Sequence, residues 1–184
     1  MRTKQLVLTA LFAALTAIGA FLKIQIPVEG IPAITLQFFF TAMAGVLLGA
    51  KYGAISQAVY VLLGLVGLPI FTMGGGFSYV LQPSFGFLVG LIPSAWVIGT
   101  LCKNAKSFWP MALGILAGLA VLYLIGTPYM GMILNLYLGK GMSVWQIVRA
   151  GCLLYLPGDV LKIVVCTLLC SALRSRLPKA TAAV

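Results

Sequence analysis

The sequence predicts an all-α integral membrane protein with six transmembrane helices in one domain, residues 1–184. Apolar residues make up 62% of the chain and charged residues only 8%, too few charges for a soluble domain of this length. Two long stretches, 52–102 and 107–139, carry no formal charge at all. Eleven of the twelve Lys and Arg residues lie at the ends of apolar runs, where basic residues orient a membrane protein rather than bind nucleic acid.

The distribution of basic residues favours six spans over seven. With six, eight basic residues share one face: Arg2, Lys4, Lys51, Lys103, Lys106, Arg174, Arg176 and Lys179. Lys23, Lys140 and Arg149 then lie on the other face, and Lys162 lies within the membrane. A seventh span would move the basic C-terminus outside. Because basic residues concentrate on the cytoplasmic side, we expect a cell-membrane protein with both termini in the cytoplasm.

The first span, from about Gln5 to Leu22, repeats small residues at every fourth position. Two neighbouring lines result: Thr9, Ala13 and Ala17, and beside them Ala10 and Ala14. Such a face lets another helix approach closely. The partner helix can belong to this chain or to a separate subunit, and the sequence leaves both interpretations open.

Three further spans follow before residue 102. The second, Leu36–Gly49, opens with Gln37 and is short, about 21 Å. A tight turn at 50–53 leads to the third span, which ends near Leu68, and the fourth covers 85–101.

The segment between the third and fourth spans, residues 67–83, is uncharged and rich in Gly and Pro, with glycines at Gly74, Gly75 and Gly76. Such residues break helices. Irregular backbone near a membrane is tolerated only where protein or water covers it. We therefore expect a lid or a pocket wall here, with Phe77 and Tyr79 as candidate stacking rings.

The last third of the chain holds two more spans. Residues 107–139 form one helix that is kinked or ends near Pro128. The pattern Ser143–Gln146 is typical of a capping box and predicts a helix start before the break at Pro157. The final span then runs to the basic tail, 174–179.

Asp159 and Lys162 are the only charges in the apolar run 150–173. A charge at bilayer depth costs roughly 2.5–3.5 kcal/mol, so it usually faces protein or a wet cavity. Three residues apart on a helix, the two share one face. Pro157 in the first helical turn would place Asp159 among free N–H groups. The pair either neutralises itself or forms the polar floor of a substrate pocket.

Several polar groups are predicted to meet at the outer side. The first loop with Glu29, the glycine segment and the start of the last span all lie there in the six-span topology. A cavity with one cation, one anion and the polar groups of Gln37, Gln82 and Tyr155 suits a small, partly apolar anion. In it, Lys162 would bind a carboxylate while Asp159 accepts N–H donors.

Other classes of protein are disfavoured. The chain has no His and no Gly-x-x-x-x-Gly-Lys-[Ser/Thr] motif, so neither an enzyme nor a chain that itself binds ATP is expected. Its four cysteines form no metal-binding pattern, and no cofactor is expected. An inverted-repeat carrier is disfavoured because the sequence shows no matching pair of broken helices in its two halves. A binding subunit energised by another protein fits best.

At these same residues the chain resembles the BioY family, the biotin-binding membrane subunits of energy-coupling-factor (ECF) transporters. The resemblance covers nearly the whole length and rests on six motifs: 13–17, 34–37, 45–56, 62–71, 74–76 and 156–162. It implies a six-helix substrate-binding (S) component that captures biotin from outside. Its first helix would dock on a transmembrane scaffold subunit, and two partner subunits would bind the ATP.

The family's functional positions carry over residue by residue. Asp159 and Lys162 match its polar pair; Gly76, Tyr79 and Gln82 match its glycine-rich third loop; Ala13 and Ala17 match its docking motif. At Phe85 the family usually has glycine, so a reshaped pocket is expected. An S component for another vitamin-like anion, a self-sufficient carrier, and a membrane enzyme or structural bundle are the alternatives.

Overall fold

The computed structural model describes residues 3–24, 31–105 and 107–176. Six α-helices follow one another: α1 Thr3–Phe21, α2 Gln37–Leu65, α3 Phe85–Leu101, α4 Phe108–Met132, α5 Val144–Val148 and α6 Leu156–Arg176. Two π-helical turns, Ile133–Tyr137 and Arg149–Leu153, continue α4 and α5, and a 3-10 helix covers Phe77–Leu81. An antiparallel ladder of β1 (Lys23–Ile24) and β2 (Ile34–Thr35) and an isolated bridge between Phe71 and Gly74 depart from the all-α expectation. Glu29 lies outside them.

Helix α2 is a hairpin of two arms rather than one rod. Gly49 has φ 78° and ψ 177°, which breaks the helix. Hydrogen bonds across the break show that the two arms are antiparallel. Thr41 Oγ1 lies 2.9 Å from Gln57 Oε1, and Gln37 Nε2, earlier in the first arm, donates to Tyr60 Oη, later in the second, over 2.8 Å. On a straight helix Thr41 and Gln57 would be about 24 Å apart. The predicted turn at 50–53 therefore lies slightly earlier, at Gly49, where the missing Cβ allows the positive φ.

Helix α1 packs its Thr9–Ala13 line against the rest of the chain. Thr9 is 4% exposed and Ala13 5% exposed, whereas Ala10 and Ala14 are exposed. Ala17 is partly buried against the main core. Thr9 and Ala13 are therefore covered from within this chain, because α1 uses these small residues to approach α2, and docking of a separate subunit on the Thr9, Ala13 and Ala17 line stays a prediction.

The predicted helix 85–101 is confirmed residue for residue as α3. Small residues bring it close to its neighbours: Ser94 Oγ donates to the Gly118 carbonyl over 2.8 Å, and a Cβ at Gly99 would lie 2.2 Å from the Ala50 nitrogen. The break predicted near Pro128 comes later, because the α-helix continues to Met132 and is followed there by the π-helical turn. The capping box at Ser143 and Gln146 is confirmed.

The described basic residues of the predicted cytoplasmic group meet at one end of the bundle, which we call the basic end. Arg174 donates to the carbonyls of Val46, Cys102 and Ala105 over 2.6, 2.8 and 3.1 Å. Two of these carbonyls lie at helix C-termini, where carbonyls lack helical partners and a cation is favoured. Lys51 lies at the start of the second α2 arm, just after the break at Gly49, and Lys103 follows the end of α3.

Four helical stretches of the described chain are long and apolar enough to cross a membrane: Thr3–Phe21, Gln37–Leu65, Phe108–Tyr137 and Val144–Arg174. The apolar helix Phe85–Leu101 is shorter. Because α2 folds back at Gly49, its arms are about 18 and 24 Å long and neither continues the direction of the other.

Candidate ligand-binding site

A cavity of about 80 Å³ lies in the half of the bundle opposite the basic end. Its walls come from β2 and the residues before it, the start of α2, the segment 66–84, and helices α3, α4 and α6. The lining residues are Pro32, Ala33, Thr35, Gln37, Phe38, Thr72, Tyr79, Ser84, Phe87, Leu88, Leu91, Leu122, Tyr123, Tyr155, Asp159 and Lys162.

The floor of the cavity is a three-residue polar cluster. Lys162 Nζ lies 2.7 Å from Asp159 Oδ1, and both side chains are nearly buried. The Tyr123 hydroxyl from α4 donates to the other oxygen, Oδ2. Helix α6 begins at Leu156, so Asp159 lies in its first turn as predicted, where the helix dipole favours an anion. The carboxylate is therefore neutralised and oriented without losing all of its acceptor sites.

A second polar group is the amide of Gln37, the first residue of α2. Its Nε2 donates to Tyr60 Oη over 2.8 Å, and its Oε1 accepts from Thr35 Oγ1 over 3.0 Å. Tyr60 is fully buried and donates in turn to the Ile70 carbonyl over 3.1 Å. One phenol thus fixes both a cavity-lining amide and the segment that covers the cavity.

The segment 66–84 closes the cavity with Tyr79, which is 4% exposed. The Tyr79 hydroxyl lies 2.8 Å from Thr72 Oγ1 and accepts from Ser84 Oγ over 3.2 Å. Its ring packs on Phe71, with centroids 4.7 Å apart. Phe71 fills the space above Gly64, where a Cβ would lie 2.1 Å from the Phe71 ring. The predicted pocket wall is therefore an ordered, packed structure.

The remaining walls are apolar and come mainly from Phe38, Phe87, Leu88, Leu91 and Leu122. An apolar chamber with one cation, one anion, one amide and several hydroxyls binds a small organic molecule with both an apolar body and hydrogen-bonding ends.

Five of the eight predicted ligand-binding residues line this cavity: Asp159, Lys162, Tyr79, Gln37 and Tyr155. The Tyr155 hydroxyl donates to the Pro32 carbonyl, which joins the start of α6 to the first loop.

The other three lie elsewhere. Phe77 is 79% exposed, Gln82 lines a separate cavity of about 290 Å³, and Gly76 lines neither. The Gly76 carbonyl accepts the Tyr79 N–H over 3.1 Å, so this residue acts on Tyr79 through the backbone. Phe85 also stays out of the cavity; it is buried beside Tyr129, with ring centroids 5.9 Å apart.

The most important residue that the sequence did not reveal is Tyr123. It lies inside an uncharged apolar helix, and no spacing motif connects it to Asp159 36 positions later. Its one signal was a hydroxyl in the middle of a predicted span, which needs a buried partner. Thr35, Thr72 and Ser84 also line the cavity, and no sequence pattern predicts this for them.

Comparison with known proteins identifies the family. The family model described as "BioY family" matches residues 1–179. The chain belongs to the BioY family. The resemblance carried by the six motifs is thus confirmed.

Individual BioY relatives agree over most of the chain. A "Biotin transporter BioY" of Thermotoga maritima is 36% identical over 173 residues, which cover 93% of this chain and 96% of the relative. A "Probable biotin transporter BioY" of Lysinibacillus sphaericus is 46% identical over 143 residues, 77% of this chain and 71% of that protein.

A solved structure shares the fold of this BioY chain. It is described as the S-component for biotin from an ECF-type ABC transporter, and it superposes with a TM-score of 0.82. The two sequences are 27% identical, and the match covers 95% of this chain and 92% of the other.

Proposed function

We propose that this chain is the biotin-binding membrane subunit of an ECF-type vitamin uptake transporter. The observation that carries the proposal is the Asp159–Lys162–Tyr123 cluster at the floor of a covered apolar cavity. Membership of a family whose named relatives are biotin transporters supplies the ligand. The protein captures its ligand and performs no chemistry on it.

The chemistry of biotin fits the cavity. Biotin has a ureido ring with two N–H donors and one carbonyl acceptor, an apolar thioether ring, and a carboxylate on an alkyl chain. Asp159 accepts N–H donors, Lys162 donates to a carbonyl or carboxylate oxygen, and the aromatic and Leu walls cover the apolar part.

Six membrane spans are supported by the α2 hairpin. The passes are α1, the two arms of α2, α3, α4 with its π turn, and α5–α6. Gln5 near the start of α1 accepts from the Tyr52 hydroxyl over 3.0 Å, and Arg174 near the end of α6 reaches the same end. By the positive-inside rule that end is cytoplasmic, and the cavity lies toward the outside.

The energising partners are a transmembrane scaffold subunit and two ATP-binding subunits. We assign scaffold docking to the exposed Ala10–Ala14 line of α1, because the neighbouring Thr9–Ala13 line is occupied internally. Close helix approach needs small residues on the contact face. Ala10→Leu with Ala14→Leu should therefore abolish co-purification with the scaffold while biotin binding persists. Retained co-purification would overturn this assignment.

Equilibrium binding of biotin to the purified, detergent-solubilised chain without ATP tests the function. The wild type should bind, whereas Asp159→Asn and Lys162→Met should each lose at least about 30-fold in affinity, as expected when one partner of a buried charge pair is removed. The control Lys103→Met, at the basic end, should bind like the wild type.

The outcomes separate function from site. If the wild type does not bind biotin, or if another vitamin-like anion binds more tightly in competition, the assignment of biotin as the ligand is wrong. Wild-type affinity in both cavity variants would overturn the site. Biotin uptake by cells that lack the ATP-binding subunits would instead indicate a self-sufficient carrier.

A further inference from the structure

A second cavity, of about 330 Å³, lies at the basic end between the tip of the α2 hairpin and α3. Its polar lining consists of Lys51, Thr100, Lys103 and Arg174, and Trp96 forms part of its wall. The chain turns back at Gly49 and the hairpin tip lies close to α3 at Gly99, and both glycines line the cavity.

The positive charges around this basic cavity have no carboxylate counterpart in the described part of the chain. The single acidic residue there, Asp159, is paired with Lys162 at the other cavity. Arg174 is hydrogen-bonded to three carbonyls, which orient its guanidinium but do not cancel its charge. Lys51 and Lys103 are exposed. Such a cluster attracts an anion.

The surroundings of the cavity match the edge of a membrane. Trp96 is 55% exposed and lies one helical turn before Thr100 on α3. Trp is enriched at membrane–water interfaces because its ring is apolar and its N–H is polar. The site therefore combines a cationic mouth with an apolar flank on one side.

We propose that this cavity binds the headgroup of an anionic phospholipid, with the phosphate between Lys51 and Lys103 and an acyl chain beside Trp96. Basic pockets between transmembrane helices at the cytoplasmic surface hold acidic headgroups in this way. A free phosphate would use the cations alone, whereas a phospholipid also uses the exposed Trp96 side chain. The site is separate from the biotin cavity and independent of the proposed function.

The full chain in vesicles provides the test, with Trp96 as the reporter. Trp109→Phe and Trp145→Phe leave Trp96 as the single tryptophan. Brominated phosphatidylglycerol, which is anionic, and brominated phosphatidylcholine, which is zwitterionic, quench tryptophan on contact. We expect phosphatidylglycerol to be preferred at the Trp96 site by at least about fivefold, since each nearby Lys contributes to attraction of acidic lipid.

Charge removal tells whether the lysines cause this preference. Lys51→Gln, Lys103→Gln and their combination should reduce it progressively toward one. Arg149→Gln removes an exposed charge at the opposite end and should leave the preference unchanged. Biotin binding by the same samples, expected at wild-type affinity, confirms that each variant is folded.

Three results would overturn the proposal. They are equal quenching by the two lipids, a loss of preference as large in Arg149→Gln as in the lysine variants, and displacement of phosphatidylglycerol by millimolar inorganic phosphate. The last result would make the site one for free anions.

Discussion

The two ends of the bundle treat charge in opposite ways. At the end opposite the basic end, which holds the first cavity and which we call the ligand end, Asp159 and Lys162 are nearly buried and paired at 2.7 Å. Tyr123 completes this cluster. At the basic end, Lys51 and Lys103 are exposed, and the partly buried Arg174 is held by carbonyls rather than by an acid.

This difference separates two uses of charge in one small membrane domain. Buried charge is costly, so the ligand end keeps it only as a neutral, hydrogen-bonded set in a cavity. Exposed positive charge costs little, and at the basic end the Arg174 cation binds carbonyls at the ends of two helices. Substitutions at the basic end should therefore alter stability but not biotin affinity, and those at the ligand end should alter affinity first.

Gly99→Ala should give the largest loss of stability. The new Cβ would lie 2.2 Å from the Ala50 nitrogen and 2.5 Å from its Cα. Both are backbone atoms, so the hairpin tip must move away from α3. We expect a destabilisation of about 3 kcal/mol, measured by thermal unfolding in detergent. Gly158→Ala, where a Cβ meets open space, is the control, and equal melting temperatures for the two variants would contradict the hairpin packing.

Arg174→Gln should rank second, with a loss of about 2 kcal/mol. The substitution removes the guanidinium and its three hydrogen bonds, which join α6 to the ends of the first α2 arm and of α3. Lys103→Gln removes an exposed charge nearby and should change the melting temperature little. Biotin affinity should stay within twofold of wild type in both variants; a larger loss in Arg174→Gln would show that the two ends are coupled.

Tyr60→Phe tests the ligand end and should have an intermediate effect. Loss of the hydroxyl leaves the Gln37 amide and the Ile70 carbonyl without this partner, at a cost of about 1–2 kcal/mol. We expect biotin affinity to fall about tenfold, because the amide and the covering segment lose their common anchor. Tyr52→Phe removes the matched hydroxyl that bonds Gln5 at the basic end. Equal affinities for the two variants would refute the positioning role of Tyr60.

The smallest effect concerns thiol reactivity at the basic end. Burial raises the pKa of the Cys102 thiol to about 11, an effect that the Arg174 charge only partly offsets. The thiol therefore stays protonated at neutral pH, and its alkylation should be slow and should accelerate as the pH rises toward 11. Mass spectrometry after maleimide treatment at pH 7.5 should find the half-buried Cys152 modified before Cys102. The reverse order would contradict the packing around Arg174.

The charge pattern of the sequence predicted the larger features correctly. Two opposite charges three positions apart in an apolar run indicated the cavity floor, and the structure places both there. The helix 85–101 and the Ser143 capping box followed from charge boundaries and local hydrogen-bonding chemistry. Local rules suffice where the deciding interactions lie within one or two turns of the chain.

The features that local patterns do not predict are those set by the rotation of a helix or a loop. The two small-residue lines of α1 differ by about 100° around the axis, and only the contact with α2 shows which faces inward. In the covering segment the 3-10 turn Phe77–Leu81 places Tyr79 inward and Phe77 outward, a choice that aromatic character does not reveal. Tyr123 meets Asp159 only through the packing of α4 on α6, which no local pattern encodes.

Ligand-protected thiol labelling in sealed, right-side-out vesicles tests the central claim most directly. Ser84→Cys places a thiol in the cavity that Asp159 and Lys162 line, and Lys103→Cys places one at the basic end. Both variants are made in a Cys152→Ser background. We predict that a membrane-impermeant maleimide labels Ser84→Cys from outside and that biotin protects it, while Lys103→Cys is labelled only in inverted vesicles and is indifferent to biotin. Labelling of Ser84→Cys from the cytoplasmic side alone, or at a rate that biotin does not change, would contradict the account.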